Sequence, residues 1–238
     1  MKTRAGISIS HRKGGGGFRV LQEGYLEFVL RWHLYRRWHR PPRPKRQAEF
    51  DFHQLMRSLP RRGLFIDLGA NVGDVTRHAL SYGMKVIAFE PDPAALKVLK
   101  GRFGNDGRVT IIPKAVGGSA RAAILHQRPD TQDVRMTEWS SLFEVPEHAN
   151  GPAVEVEVID LVQFLKGLEE PITVIKMDIE GAEAECIESM LDDGIYRSVG
   201  HLLVETHERL SQDLANRITE LRNRISREGI NNIDLGWG

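Results

Sequence analysis

The chain has 238 residues, 41% of them hydrophobic, which suits one sizeable α/β domain or two small ones. A single cysteine, Cys186, excludes an internal disulfide and points away from an extracellular setting. No run of about eighteen apolar residues is present, so no membrane-spanning helix is expected, and the N-terminus lacks the apolar core of a signal peptide. The net charge of +1 hides an asymmetry: residues 1–46 carry twelve Lys/Arg against Glu23 and Glu27, leaving 21 of 33 basic and 30 of 32 acidic residues to the rest. That acidic body argues against extensive nucleic-acid binding, and a cytoplasmic location, at or away from a membrane surface, is expected.

In chain order, residues 1–17 read as a flexible tail ending in Gly14–Gly17. Residues 18–46 read as a basic amphipathic helix and a linker. Leu21, Tyr25, Phe28, Val29, Trp32 and Tyr35 recur at helical spacing, and "PPRPKR" ends the run. Aromatics beside arginines suit peripheral membrane contact through residues 18–40, a helix packed on a larger domain, or a grip on a polyanionic glycan.

Residues 47–238 read as one domain. From residue 63, strands alternate with helices: "GLFID", a helix over 74–81, "KVIAFE", a helix in "DPAALKVLKGRF" with Pro93 in its first turn, then "VTIIPKAV". "PITVIKMD" is a later strand followed by a helix to about Leu191, and "SVGHLLVETH" is another. "SQDLANRITELRNRISREG" places Leu214, Ile218, Leu221 and Ile225 on one helical face, and "INNIDLGWG" supplies a closing strand. This alternation predicts a Rossmann-like α/β fold, a mostly parallel sheet with helices on both faces. Residues 127–150 are polar and irregular, and connections that long tend to be functional.

"FIDLGANVGDV" reads as strand, turn and helix start. Gly69 and Gly73 permit a tight turn and close approach of a ligand to the backbone. The spacing lacks the middle glycine of a pyrophosphate site, and Asp67 favours a cationic ligand over a phosphate. Glu90 ends the next strand, where a carboxylate can accept from both hydroxyls of a ribose. Together they point to an adenosine ligand carrying an amine or sulfonium, a description that S-adenosylmethionine meets. The competing reading makes Asp67 a helix cap and Glu90 the start of a turn.

"FIDLGANVGD", "VIAFEPDPAAL", "KAVGG", "VIKMDIEGAEAE" and "LLVETH" resemble successive blocks of the FkbM-type S-adenosylmethionine-dependent methyltransferases. The resemblance covers residues 60–207. It implies a class I methyltransferase fold, with a seven-stranded sheet whose last strand is antiparallel. It also implies O-methylation of a sugar, glycan or other small-molecule hydroxyl. By the match, Asp67, Gly69, Asn71 and Gly73 would hold the methionine part, Glu90 the ribose, and Ala115 would lie beside the adenine.

The charged stretch "VIKMDIEGAEAE" sits at the expected ligand edge. Lys176 and Asp178 share one side of their strand, and ligands of open α/β sheets bind beyond the strands' carboxyl ends. Methyl transfer to a hydroxyl needs alignment and removal of a proton. Asp178, Glu180 and His207 are candidate bases, and Lys176 is expected to stay protonated and orient carboxylates. Glu180 and Glu183 are read in the first turn of the next helix, where carboxylates oppose the helix dipole. For Glu183 that is the preferred role. Glu185 and Glu188 read as solvent-facing. Glu205 and His207 end "HLLVETH" at the same edge, with His207 a base, a substrate contact or a satisfied structural histidine. Asp178, Glu180, Glu205 and His207 have the donor types of an oxygen-rich metal site, but nothing in the spacing demands one and none is expected. Ser140 and Ser141 are candidate substrate contacts in the long loop, whose alternative is an ordinary surface connection holding Trp139 and Phe143. Transfer to nitrogen on a protein or nucleic acid is the second reading, although "MDIEGA" stands where an Asn/Asp-Pro-Pro-aromatic run would be expected. A non-catalytic cofactor-binding module is the third.

Overall fold

The computed structural model describes residues 43–127, 129, 140–142, 148 and 150–237. The tail over 1–17, the helix read over 18–40, Trp139 and Phe143 lie outside the described residues. The first described element, α1 (Arg43–Ser58), corrects the linker: residues 43–46 open a helix. Pro44 is no obstacle there, because first-turn amides have no intrahelical acceptor.

The strand–helix alternation follows as β1 (Leu64–Leu68), α2 (Asp74–Ser81), β2 (Lys85–Phe89), α3 (Pro93–Phe103) and β3 (Val109–Ile112). Asp92 caps α3, its side chain accepting from the amides of Ala94 and Ala95 at 2.8 and 3.2 Å, with Pro93 next in sequence. After residue 150 come β6 (Ala153–Asp160), α4 (Leu161–Lys166), β7 (Ile172–Met177), α5 (Glu183–Asp193), β8 (Val199–Val204), α6 (Gln212–Arg227) and β9 (Ile233–Asp234). Between them and β3 lie β4 (Ala115–Gly117) and β5 (Arg121–His126).

The main sheet has six strands in the order β3-β2-β1-β7-β8-β9, every pair parallel. Strand alternation sends successive residues to opposite faces and builds two cores. Leu64, Ile66, Leu68 and Ile175 pack with Ala184, Ile187, Leu214 and Ile218 of α5 and α6. Phe65 and Val174 pack with Phe52 of α1, Ala79 and Leu80 of α2, and Leu99 of α3. All four residues of the predicted α6 stripe are buried.

Two expectations need correction. Among the described residues, the implied seven-stranded sheet with an antiparallel last strand is a six-stranded parallel one. The closing segment contributes only the two-residue β9, which α6 carries back parallel to β8, with Leu202 opposite Ile233. The "VTIIPKAV" strand is two strands. Pro113 cannot donate to a ladder, and beyond it β4 leaves the main sheet to pair with β6 in a smaller sheet of order β4-β6-β5. No described helix is long and apolar enough to cross a membrane.

The order of the main sheet fixes where the chemistry sits. β1, β2 and β3 run outward one way, and β7, β8 and β9 the other. The switch point lies between β1 and β7, where open α/β sheets hold ligands. There Asp67 is directly opposite Lys176.

Candidate active site

Each singled-out residue is set by a strand end. Asp67, near the end of β1, is fully buried. Its Oδ2 accepts from the Thr76 hydroxyl of α2 at 2.7 Å, and its Oδ1 lies 3.4 Å from Lys176 Nζ without an aligned hydrogen bond. Burial raises its pKa, partly countered by Lys176 and Thr76. The cation expected opposite Asp67 is therefore, at least in part, the protein's own lysine, and one buried carboxylate oxygen remains to be satisfied.

Lys176 is buried and spans the switch point. Its Nζ donates to the carbonyls of Gly69 at 2.6 Å and Leu68 at 3.3 Å, and sits 3.5 Å from Asp178 Oδ2. Burial opposes its charge, but Asp178, Asp67 and Glu205 outweigh that cost and hold its pKa above the ordinary lysine value. The surroundings of Lys176 thus favour its charged form.

The turn after β1 has the tight backbone expected of its glycines and places a second demand on them. Gly69 has φ 74°, and a β-carbon there would lie 1.8 Å from the Asp178 carbonyl oxygen. Gly73 has φ 88°, and a β-carbon would strike Phe103 at 2.4 Å. Both make room for the protein's own atoms. Between them Asn71, at φ 49°, points its amide at Glu90 Oε2, 2.7 Å away, and its side-chain Oδ1 accepts from the Val72 amide at 2.6 Å.

Glu90 is buried at the end of β2. Its other oxygen accepts from the Asp92 amide at 2.7 Å. Burial raises its pKa to about 7 against those two amides. Its own amide donates to Ile112 O at 3.1 Å, and Ala115 lies three residues beyond Ile112, packed with Leu125, Val156 and Val158 in the smaller sheet.

Asp178, one residue past β7, is about one-quarter exposed, with a side-chain accessibility of 29%. Its oxygens face Lys176 and, at 3.6 Å, His207 Nε2. Glu180 is corrected: it lies in a turn, not a helix, at φ 52°, followed by Gly181 at φ 114°, and α5 begins only at Glu183. Glu180 Oε2 lies 3.3 Å from both His207 Nε2 and Arg209. Glu183 stands in the first turn of α5, as expected, but it does not face solvent. It is fully buried, and its oxygens accept from the Ile179 and Gly181 amides, both at 3.0 Å, and face His207 Nδ1 at 2.8 Å. Glu185 pairs with Arg121 and Glu188 with Arg217, so both are partly covered.

His207 is buried among these carboxylates. Burial alone would lower its pKa, but Glu180 and Glu183 raise it to about 10. That direction favours the protonated ring and weighs against His207 as the base. Asp178, Glu180 and His207 each place one ligand atom within 4.8 Å of the others, and Glu205 is not in that group. His207 and Arg209 already supply positive charge to it. Glu205 donates its amide to Met177 O at 2.9 Å, which sets the edge of β8 beside β7.

The two loop serines both hydrogen-bond to groups at the edge. Ser140 Oγ donates to Asp92 Oδ2 at 2.7 Å, beside Gln127 Nε2 at 2.6 Å. Ser141 Oγ donates to Glu180 O at 2.5 Å, and its backbone pairs with His126. The end of the long loop is thereby tied to both the Glu90 side and the Glu180 side of the edge. Sequence reading gave Glu183 only as a first-turn acid and missed Asp92 and Gln127. Asp92 was findable as a cap before Pro93, and Glu183 as an acid two residues after a turn glycine. Gln127 carries no local signal.

A 510 Å³ depression beside Arg121 and Glu155–Val158, and a 220 Å³ cleft beside Phe52, Leu203 and Trp237, contain none of these residues.

Among comparisons with known proteins, the sequence model of the Methyltransferase FkbM domain matches residues 67–229. No curated protein matches. Solved structures with remote similarity include a TehB-like SAM-dependent methyltransferase from Corynebacterium glutamicum, at 11% identity and TM-score 0.35, covering 84% of this chain and 83% of that one. Another is a putative S-adenosylmethionine-dependent methyltransferase from Listeria monocytogenes, at 15% identity and TM-score 0.24, covering 50% and 78%. A third is the 1,6-didemethyltoxoflavin-N1-methyltransferase of Burkholderia thailandensis with bound S-adenosylhomocysteine, at 14% identity and TM-score 0.24, covering 67% and 79%. The family match takes in more than half of the chain and every residue from Asp67 to His207. The chain belongs to the FkbM family of methyltransferases, whose methyl donor is S-adenosylmethionine.

Proposed function

We propose that the protein methylates a hydroxyl of a sugar, glycan or other small molecule, with Asp178 accepting the hydroxyl proton. The observation that carries this reading is the placement of Asp178. It is a partly exposed carboxylate at the carboxyl end of β7, at the switch point of the sheet, flanked by two buried cations.

The residues of the edge suit the donor. Glu90 offers a buried carboxylate whose two backbone hydrogen bonds leave lone pairs for a diol. Asp67 keeps one buried oxygen without a hydrogen bond. Asp67, Asn71 and Glu90 would hold the cofactor on the β1–β2 side, with Ala115 beyond it. S-adenosylmethionine supplies, when bound, an electrophilic methyl group on a sulfonium. The protein's task is then to align an acceptor oxygen and receive its proton as charge develops. Lys176 and His207 hold Asp178 from both sides, which fixes its direction. Glu180 lies on the far side of His207, shared with Arg209, and Glu205 borders the same edge as a candidate substrate contact.

Calorimetry with S-adenosylmethionine and an acceptor screen with methyl-labelled cofactor test the reading. Glu90→Ala is expected to weaken cofactor binding about tenfold or more, the cost of stranding paired donors. Asp178→Ala is expected to keep cofactor affinity and lose about 10²–10⁴ in turnover. A wild-type protein that fails to bind the cofactor overturns it.

A further inference from the structure

The site contains a fully buried carboxylate that no step above uses. Glu183 opens α5, but its side chain turns back over the preceding residues. One oxygen accepts from the Ile179 amide and faces His207 Nδ1, and the other accepts from the Gly181 amide. Three donors from two separate segments converge on it. The turn it closes is strained, with Glu180 at φ 52° and Gly181 at φ 114°, a conformation that persists only where neighbours over-determine it. Ser141 holds the same turn from the loop side through Glu180 O.

We propose that Glu183 is the positioning residue of the acceptor edge: it fixes the Asp178–Gly181 turn and orients His207 so that Nε2 faces Asp178 and Glu180. A carboxylate can only accept, so the Nδ1 facing it is a donor, and the ring plane follows. The ring then presents Nε2 to Asp178 Oδ1 at 3.6 Å and Glu180 Oε2 at 3.3 Å. Glu183 is fully buried and acts through its neighbours. The groups facing His207 are Asp178, Glu180 and Glu183. Lys176 stands behind Asp178, and Arg209 behind Glu180. With three carboxylates around one imidazole, the doubly protonated ring is the form the cluster favours, in line with its pKa of about 10.

This inference rests on the reading of Asp178 as the acceptor-side carboxylate, but its test is separable. The readouts are imidazole nitrogen and proton NMR of full-length protein across pH 5–9, and calorimetry with S-adenosylhomocysteine. In wild type the His207 ring is expected to stay doubly protonated through pH 8, with a slowly exchanging Nδ1 proton. In Glu183→Gln the ring is expected to titrate at least about one unit lower. The Ile179 and Gly181 amides are expected to exchange at least tenfold faster, while S-adenosylhomocysteine affinity stays within threefold. A glutamate that braced the turn alone, without contact to the ring, would leave the ring titration unmoved. If wild-type His207 titrates near 6.5, or the same in both proteins, the proposal fails, even where the variant does not fold. Failure of wild type to bind the nucleoside overturns the functional reading instead and leaves the ring measurement standing.

Discussion

Glu90 stores its burial as a pKa of about 7, so near neutrality its carboxyl is divided between two forms. Only an ionised carboxylate can accept from both hydroxyls of a ribose, the role proposed for Glu90. Affinity for S-adenosylmethionine is therefore expected to rise between pH 6 and 8, and Glu90→Gln is expected to lose that slope, as calorimetry at several pH values would show. Lys176 and His207 take the opposite course: carboxylates hold both as cations, although each is buried. The difference is the partner set. Glu90 meets two neutral amides, whereas Lys176 meets Asp67 and Asp178, and His207 meets Glu180 and Glu183. Residue types at strand ends were readable from sequence, but their protonation was not, because it depends on which charges the fold brings within a few ångströms.

At the level of elements, the turns at the ends of β1 and β7 interlock. Asp178 donates its amide to Leu68 O at 3.1 Å, and its own carbonyl fills the space a Gly69 side chain would need. Gly69→Ala is expected to cost about 3 kcal/mol or more in urea unfolding, since the obstacle is backbone and φ is 74°. A result near zero would mean that the two turns are not in contact. Helices α2 and α3 were legible nearly to the residue, because Asp74, Asp92 and Pro93 mark their starts. Glu180 was misplaced because a helix-favouring residue in a left-handed turn has no local signature. Its conformation is held by Glu183, Ser141 and Arg209, which arrive from α5, the loop and the segment after β8.

Across the whole molecule, His207 ties stability to pH. Its folded pKa of about 10 lies above its ordinary 6.5, so the charged ring stabilises the fold fully below 6.5, and that contribution is lost as pH rises through about 10. His207→Gln is therefore expected to be destabilised relative to wild type more at pH 6 than at pH 10, read from urea unfolding at each pH. An equal penalty at both values would remove the charge from the account. The six-stranded order β3-β2-β1-β7-β8-β9 converges all the relevant groups on one edge, although Asp67 and His207 lie 140 positions apart in the chain.

The sequence by itself determined the alternating strand–helix frame, the α6 stripe, and the residues at the carboxyl ends of β1, β2 and β7, because periodicity, caps and turn glycines are local signals. It also carried the family, through "FEPDP" and "KMDIEGAE". Only the tertiary structure decided that β4 departs at Pro113, that the last strand is parallel, and that Ser140 and Ser141 bond to Asp92 and Glu180. It alone brought the buried Glu183 within 2.8 Å of His207 Nδ1. Those outcomes turn on distances between segments far apart in sequence, and on the cost of leaving a charge or an amide unpaired away from water.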